Sequence, residues 1–136
     1  MPRSIHDNTV LSYTVDCKSR SVTLRTSFKS SPVEFTDVVF RGVAAYDFQD
    51  DCFGNILFGI EEEEPAQVIS TAKEKFENGR GYGWPGPWNS SLKEAIAFAR
   101  KEGLRGFVIS ASLGLNGWIL AKEMSIVEGS SNGAAG

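Results

Sequence analysis

Apolar and polar side chains alternate along residues 10–28, with one short interruption. In the first run, the residues that share a side are Leu11, Tyr13, Val15 and Cys17. In the second run they are Val22, Leu24, Thr26 and Phe28. A period of two residues is typical of strands that bury one face, and Lys18 and Ser19 lie where a hairpin would turn. The sequence therefore predicts an antiparallel β-hairpin.

The strand pattern continues through residues 33–50 and 56–61. The first of these stretches is rich in valine and phenylalanine, and Gly42 interrupts it. A glycine inside a strand pattern favours a bulge or a bend, so residues 33–50 form either one long strand or two shorter ones. Residues 50–55 then have the composition of a turn. Together with the hairpin, these stretches predict four or five strands before the first helix.

After residue 64 the period of the pattern changes to that of a helix. Pro65 suits the first turn of a helix, and Gly79 suits its end. One face of this helix carries Val68, Ile69, Ala72 and Phe76. A second helix is predicted from Ser91, which has the capping-box spacing to Glu94, to its stop at Gly103.

Two more strands follow the second helix. Residues 107–113 alternate, and Asn116 and Gly117 favour a tight hairpin turn because both residue types tolerate positive φ. Residues 118–127 supply the return strand. Strands grouped together and helices grouped together favour an α+β fold. We predict a mostly antiparallel sheet of about six strands, with two helices between the strand groups.

The chain has 136 residues and a formal net charge of -3, which fits one small domain without general affinity for nucleic acid. We predict a single domain over residues 1–128 and a disordered tail over 129–136, because the tail has nothing to bury. The charge is uneven: residues 34–64 carry nine acidic side chains and one basic one, a net charge of -8. This acidic segment is the first candidate for a functional surface.

Seven acidic side chains of this segment form the first candidate site: Asp47, Asp50, Asp51, Glu61, Glu62, Glu63 and Glu64. Clustered negative charge speeds association with a basic protein and repels acidic ones. The strand register decides whether these side chains form one continuous patch. The alternative is a solvated surface, in which the four glutamates only compensate the dipole of the helix that begins at Pro65.

The second candidate site is the loop over residues 79–88, which contains several glycines and prolines. Its aromatic side chains, which could anchor a partner or a ring-shaped ligand, are Tyr82, Trp84 and Trp88. The spacing of its glycines matches no phosphate-binding motif. The alternative is that the tryptophans fold back and cover the core between the two helices.

No catalytic or cofactor-binding motif is recognisable in the sequence. His6 stands beside Asp7, but no motif places a nucleophile near it. Cys17 and Cys52, with one histidine, are too few for a structural zinc site, and they are expected to be free thiols. We therefore expect no cofactor and no metal, and favour a protein without enzymatic activity.

The chain is expected to act in the cytoplasm. No apolar run approaches the length that spans a bilayer, and residues 1–7 lack the hydrophobic segment of a signal peptide. We expect neither a membrane nor a nucleic acid as a partner. The oligomeric state is left open.

Four segments carry a resemblance to known proteins: VLSYTVD at 10–16, RSVTLR at 20–25, VFRGVAAYDF at 39–48 and NILF at 55–58. With this strand pattern, residues 6–64 resemble small uncharacterised bacterial proteins, some of them similar to immunity proteins encoded beside polymorphic toxins. The resemblance defines no functional residue. It implies a binding protein without catalysis, whose acidic surface would cover the basic active site of a toxin.

Three hypotheses about function follow. The first is a non-enzymatic protein-binding domain, immunity-like, that uses its acidic surface and its aromatic loop on a basic protein. The second is a small-molecule-binding protein or an enzyme with a pocket under the loop 79–88. The third is an oligomeric structural subunit that assembles through the edges of its sheet.

Overall fold

The computed structural model of the protein describes residues 4–79 and 91–129, which leaves most of the loop 79–88 and of the tail 129–136 outside the described residues. Eight strands form within these ranges: β1 (Thr9–Asp16), β2 (Ser21–Phe28), β3 (Glu34–Arg41), β4 (Ala45–Gln49), β5 (Ile56–Glu63), β6 (Arg105–Leu113), β7 (Asn116–Ala121) and β8 (Glu123–Glu128). Within the same ranges, three helices lie between β5 and β6: α1 (Pro65–Thr71), α2 (Lys73–Gly79) and α3 (Leu92–Lys101).

All of these strands belong to one antiparallel sheet, in the order β4-β7-β6-β5-β1-β2-β3-β8. β3 and β4 are successive parts of one bent segment of the chain, and β7 and β8 form a second bent segment. The two segments run side by side, with β3 paired to β8 and β4 paired to β7. Hydrogen bonds continue through the bend: Lys122 N donates to Arg41 O at 3.0 Å, and Ala44 N donates to Leu120 O at 2.8 Å. The sheet therefore consists of two four-stranded halves, β1-β2-β3-β8 and β4-β7-β6-β5.

The main core lies between the two halves of the sheet. Leu24 and Phe40 from one half belong to the same buried cluster as Phe107 and Ile119 from the other. The rings of Phe40 and Phe107 meet edge to face, with centroids 5.4 Å apart. A second core forms where the helices cover the half that contains β6 and β7. Its buried members are Ala45, Val68, Ile69, Phe76, Ala95, Ala99, Leu104 and Leu120.

The sheet is antiparallel and the fold is α+β, but the predicted numbers of strands and helices are wrong. Gly42 has a φ of +65° and separates β3 from β4, so residues 33–50 form the two shorter strands of the prediction, and five of the described strands precede the first helix. Lys122 interrupts the predicted return strand, so that β7 and β8 pair with different strands. Ala72 ends α1, and the first predicted helix becomes α1 and α2. The chain therefore forms eight strands and three short helices within the described residues, instead of about six strands and two helices.

The predicted hairpin turn at Asn116 and Gly117 is also wrong. Both residues lie at the start of β7 and pair with β4. The chain reverses instead near Gly114, which has a φ of +89°. A Cβ atom on Gly117 would lie 2.1 Å from the carbonyl oxygen of Asp47. Glycine is needed at this position because the backbone of β4 approaches closely, and not because a turn requires it.

Candidate functional site

Two strand edges of the sheet border an open cleft. Among the strands that the structure describes, β4 is the last on its side of the sheet, and β1 is aligned with β5 only at Thr9 and Ile56. The cleft has a volume of about 620 Å³. On the β4 side it is lined by every residue from 43 to 48, and on the other side by Tyr13, Val15, Asp16, Cys17, Arg20, Ser21 and Val22. We call it the edge cleft.

Three aromatic side chains meet in the edge cleft. Tyr46 and Phe48 are alternate residues of β4 and therefore point to the same side, with ring centroids 5.2 Å apart. Tyr13 of β1 meets Phe48 edge to face, also at 5.2 Å. Tyr13 and Tyr46 remain 37% and 36% exposed. The two strands thus present a connected aromatic surface to solvent, and tyrosine and phenylalanine are enriched at protein interfaces.

The acidic turn after β4 is fastened to the edge cleft through Tyr13. The Tyr13 hydroxyl donates to Asp51 Oδ2 at 2.6 Å. The turn itself is held by buried Asn55, whose Oδ1 accepts the N–H groups of Cys52 at 2.9 Å and of Leu115 at 3.0 Å. The hydrogen bond to Asp51, together with partial burial, raises the pKa of Tyr13 above its ordinary value of 10.0. One carboxylate is therefore placed at the rim of the aromatic surface.

Removal of the Asp51 carboxylate is expected to lower the pKa of Tyr13 toward 10.0. In Asp51→Ala the hydroxyl loses the acceptor that favours its protonated form. The measurement is tyrosinate absorbance against pH, with Tyr13→Phe identifying the transition. The folded state holds this proton more tightly than the unfolded chain, so its contribution to stability is present below the unfolded pKa and is lost as the pH rises through the raised pKa. An unchanged Tyr13 transition in Asp51→Ala would show that the hydrogen bond does not form in solution.

The turn of the β1–β2 hairpin closes the other end of the edge cleft. Asp16 Oδ1 accepts the N–H groups of Lys18 at 3.0 Å and of Ser19 at 3.1 Å. These hydrogen bonds, chiefly the one from Ser19, lower the pKa of the Asp16 carboxyl. Arg20 follows with a φ of +56°, and its carbonyl accepts the N–H of Val43 at 2.9 Å. The hairpin is therefore joined to the residues that lead into β4.

Asp47 belongs to a different surface. It alternates with the aromatic residues of β4, so its side chain points to the opposite side of the strand. Its Oδ2 lies 2.7 Å from Nζ of Lys75 in α2, and the side chain is only 12% exposed. Asp47 and Glu63 both line a second cleft of about 420 Å³ between α1 and the sheet, which also contains Trp118. Lys75 therefore neutralises much of the charge of Asp47.

The four glutamates at the end of β5 have separate environments. Glu62 forms a bidentate pair with Arg105, with Nε 2.8 Å from Oε2, and the guanidinium lowers the pKa of Glu62. Glu64 precedes α1 without a capping hydrogen bond from its side chain. Glu61 shares a cross-strand row with Asp47 through β6 and β7. The structure thus divides the predicted acidic residues among the edge cleft, the cleft under α1 and the pair with Arg105.

The aromatic residues of the predicted second site lie outside the described residues; they are Tyr82, Trp84 and Trp88. His6 is exposed, with Nδ1 2.9 Å from the carbonyl oxygen of Phe58 and Nε2 3.5 Å from Asp7. Cys17 and Cys52 are free thiols. These contacts give His6 a backbone partner and a neighbouring carboxylate.

Sequence reasoning missed the aromatic surface of the edge cleft. The alternation places Tyr13 on one face of its strand, and Tyr46 and Phe48 together on one face of theirs. It does not show that β4 would be a terminal strand, or that β1 would be aligned with β5 only at Thr9. Tyr13 and Tyr46 did favour partly exposed positions. A tyrosine hydroxyl needs a polar partner or water, so tyrosine is less suited than phenylalanine to a closed core.

Within residues 4–79 and 91–129, no three histidine, cysteine, aspartate or glutamate side chains are grouped so that they could hold a metal ion. None of the helices in the same ranges is long and apolar enough to cross a membrane. Comparison of the chain with protein-family models, with curated proteins and with solved structures found no match. The function of the edge cleft is therefore inferred from its own geometry.

Proposed function

We propose that the chain is a non-enzymatic protein-binding domain that docks a basic partner protein in the edge cleft. The observation that carries this proposal is the meeting of Tyr13, Tyr46 and Phe48 at an open strand edge. Aromatic side chains supply a large contact area at a low cost in conformational entropy. The cleft is a groove bordered by two strands, a shape that suits a segment of a macromolecule.

The charges at the edge cleft favour a basic partner. The carboxylates are Asp16, which lines one end, and Asp50 and Asp51 in the turn at the other end. The nearby cations are Arg20, which lines the cleft, and Lys18 in the hairpin turn beside Asp16. Negative potential of this kind raises the rate of association with basic surfaces and disfavours acidic ones. Asp47 and Glu62 contribute less to this potential, because they form ion pairs with Lys75 and Arg105.

A toxin-immunity role is one form of such binding and belongs to the same proposal. It is what the resemblance of residues 6–64 implies, and an acidic groove with exposed aromatic side chains supports it, because the partner in that role is a basic active site. A cytoplasmic location is part of this proposal and agrees with the free thiols of Cys17 and Cys52, since disulfides are rare in that compartment.

Selection of binders from a library of displayed random peptides, with the full chain immobilised, tests the proposed function. We expect basic peptides to be enriched. The double variant Asp50→Asn, Asp51→Asn should bind the selected peptides about tenfold more weakly, because it removes two charges at the rim of the edge cleft. The substitutions keep the shape of the side chains, and asparagine tolerates the φ of +60° found at Asp50.

The matched control is the double variant Glu77→Gln, Glu102→Gln. It removes the same charge at exposed positions in α2 and just after α3, away from the edge cleft. We expect it to bind the selected peptides as the unmodified chain does. Failure to enrich basic peptides, or equal weakening by both double variants, would contradict docking in the edge cleft.

A further inference from the structure

We infer that the partner docks as an extended basic segment that adds a strand to the free edge of β4. This inference rests on the proposed function and specifies how the partner binds. β4 is paired through residues 45–49 with β7, and it is the terminal strand of the sheet in the described part of the chain. An edge strand presents N–H and C=O groups to which another chain can hydrogen-bond.

The lining of the edge cleft fits strand addition. Every residue from 43 to 48 borders the cleft, whereas a cleft reached only by side chains from one face of a strand would be lined by alternate residues. The backbone edge itself therefore faces the open space. β4 has five residues, which span about 17 Å at about 3.4 Å per residue. A segment of about five extended residues would match that edge.

The side chains of the edge cleft specify the chemistry of the added strand. Alternate side chains of that strand would point to the same side as Tyr46 and Phe48. Lysine and arginine suit these positions, because their stems pack on aromatic rings and their charged groups are attracted to the ring faces. Asp51 at one end and Asp16 at the other supply carboxylates. A basic segment would thus satisfy both the aromatic surface and its acidic ends.

Charge argues against a second copy of this chain as the occupant. A second β4 strand contains no lysine or arginine, so it would supply no cation for the carboxylates of Asp16, Asp50 and Asp51. The other terminal strand, β8, begins and ends with the acidic residues Glu123 and Glu128. Pairing of β4 with β8 of another copy would therefore set acidic side chains against acidic ones, which is unfavourable across a strand pair.

The test uses an end-capped peptide of alternating lysine and valine, titrated into the full chain by calorimetry. A second peptide carries N-methyl groups on the backbone nitrogens of its lysines only, and a third carries them on the backbone nitrogens of its valines only. Alternate N–H groups of a strand point to opposite sides, so an added strand uses one set alone. We expect one methylated peptide to bind at least about tenfold more weakly and the other to retain its affinity. A peptide with glutamate in place of lysine should bind the chain weakly. The variant Tyr46→Ser should likewise bind the lysine–valine peptide weakly.

The outcomes separate this inference from the proposed function. Equal affinity of the two methylated peptides would overturn strand addition, while basic peptides selected from the library would still support protein binding. Failure of the lysine–valine peptide to bind would likewise overturn the added basic strand. Light scattering tests for a dimer of the chain. A dimer fraction that increases with concentration and that falls when the peptide is added would assign the edge to a second copy and overturn the inference.

Discussion

Replacement of Phe107 by alanine is expected to lower the free energy of unfolding by about 3–5 kcal/mol. Phe107 is fully buried, and it is the point at which β6 contacts Phe40 of the opposite half of the sheet. Truncation removes apolar contacts and leaves a cavity that the surrounding strands can fill only in part. Urea denaturation measures the loss as a lower midpoint with an unchanged slope.

Phe53→Ala is the matched control for this prediction. Phe53 lies in the turn between β4 and β5 and is fully exposed, so the same substitution removes no buried surface. We expect a change of less than about 0.5 kcal/mol. A similar loss of stability in the two variants would contradict a main core between the halves of the sheet.

The antiparallel strands could be predicted because alternation is a local property. β1 and β2 pair as the predicted hairpin, and β2 buries Val22, Leu24 and Thr26 with the predicted period of two residues. In β1 the prediction of the buried face is wrong, because the register shifts between Val10 and Ser12 and leaves Leu11 and Tyr13 exposed. The number of strands could not be predicted in the same way. Gly42 and Lys122 mark the points at which a segment passes from one half of the sheet to the other. Such a passage depends on which strands pair, and alternation carries no information about pairing.

The candidate site depends even more strongly on pairing between residues that are far apart in the sequence. Tyr46 lies on β4, a terminal strand in the described part of the chain, and Tyr13 lies on the part of β1 that extends beyond its single aligned pair with β5. This strand order follows from pairing between distant parts of the chain. The division of the acidic residues depends on register, as in the row that joins Asp47 to Glu61 through two intervening strands. The acidic segment was visible in the sequence, whereas its separation into different environments was not.

The second large effect is expected for Asn55→Ala, which should lower the free energy of unfolding by about 2–4 kcal/mol. Asn55 is 5% exposed, and its Oδ1 accepts N–H groups from both Cys52 and Leu115. Alanine leaves the buried N–H of Leu115 and the partly buried N–H of Cys52 without their acceptor. An unsatisfied buried donor costs more than an average hydrogen bond contributes. The space is also tight, since a Cβ atom on Gly114 would lie 2.0 Å from Oδ1.

Asn116→Ala is the control, because exposed Asn116 also bonds backbone groups, namely Ala111 N at 3.0 Å and the carbonyl of Gly114 at 3.1 Å. Water can replace those bonds, so we expect a loss of less than about 1 kcal/mol. Asn55→Ala should further lower the pKa of Tyr13, since the turn that carries Asp51 loses its buried anchor. A large loss of stability with an unchanged Tyr13 pKa would show that Asn55 supports the fold without positioning the rim of the edge cleft.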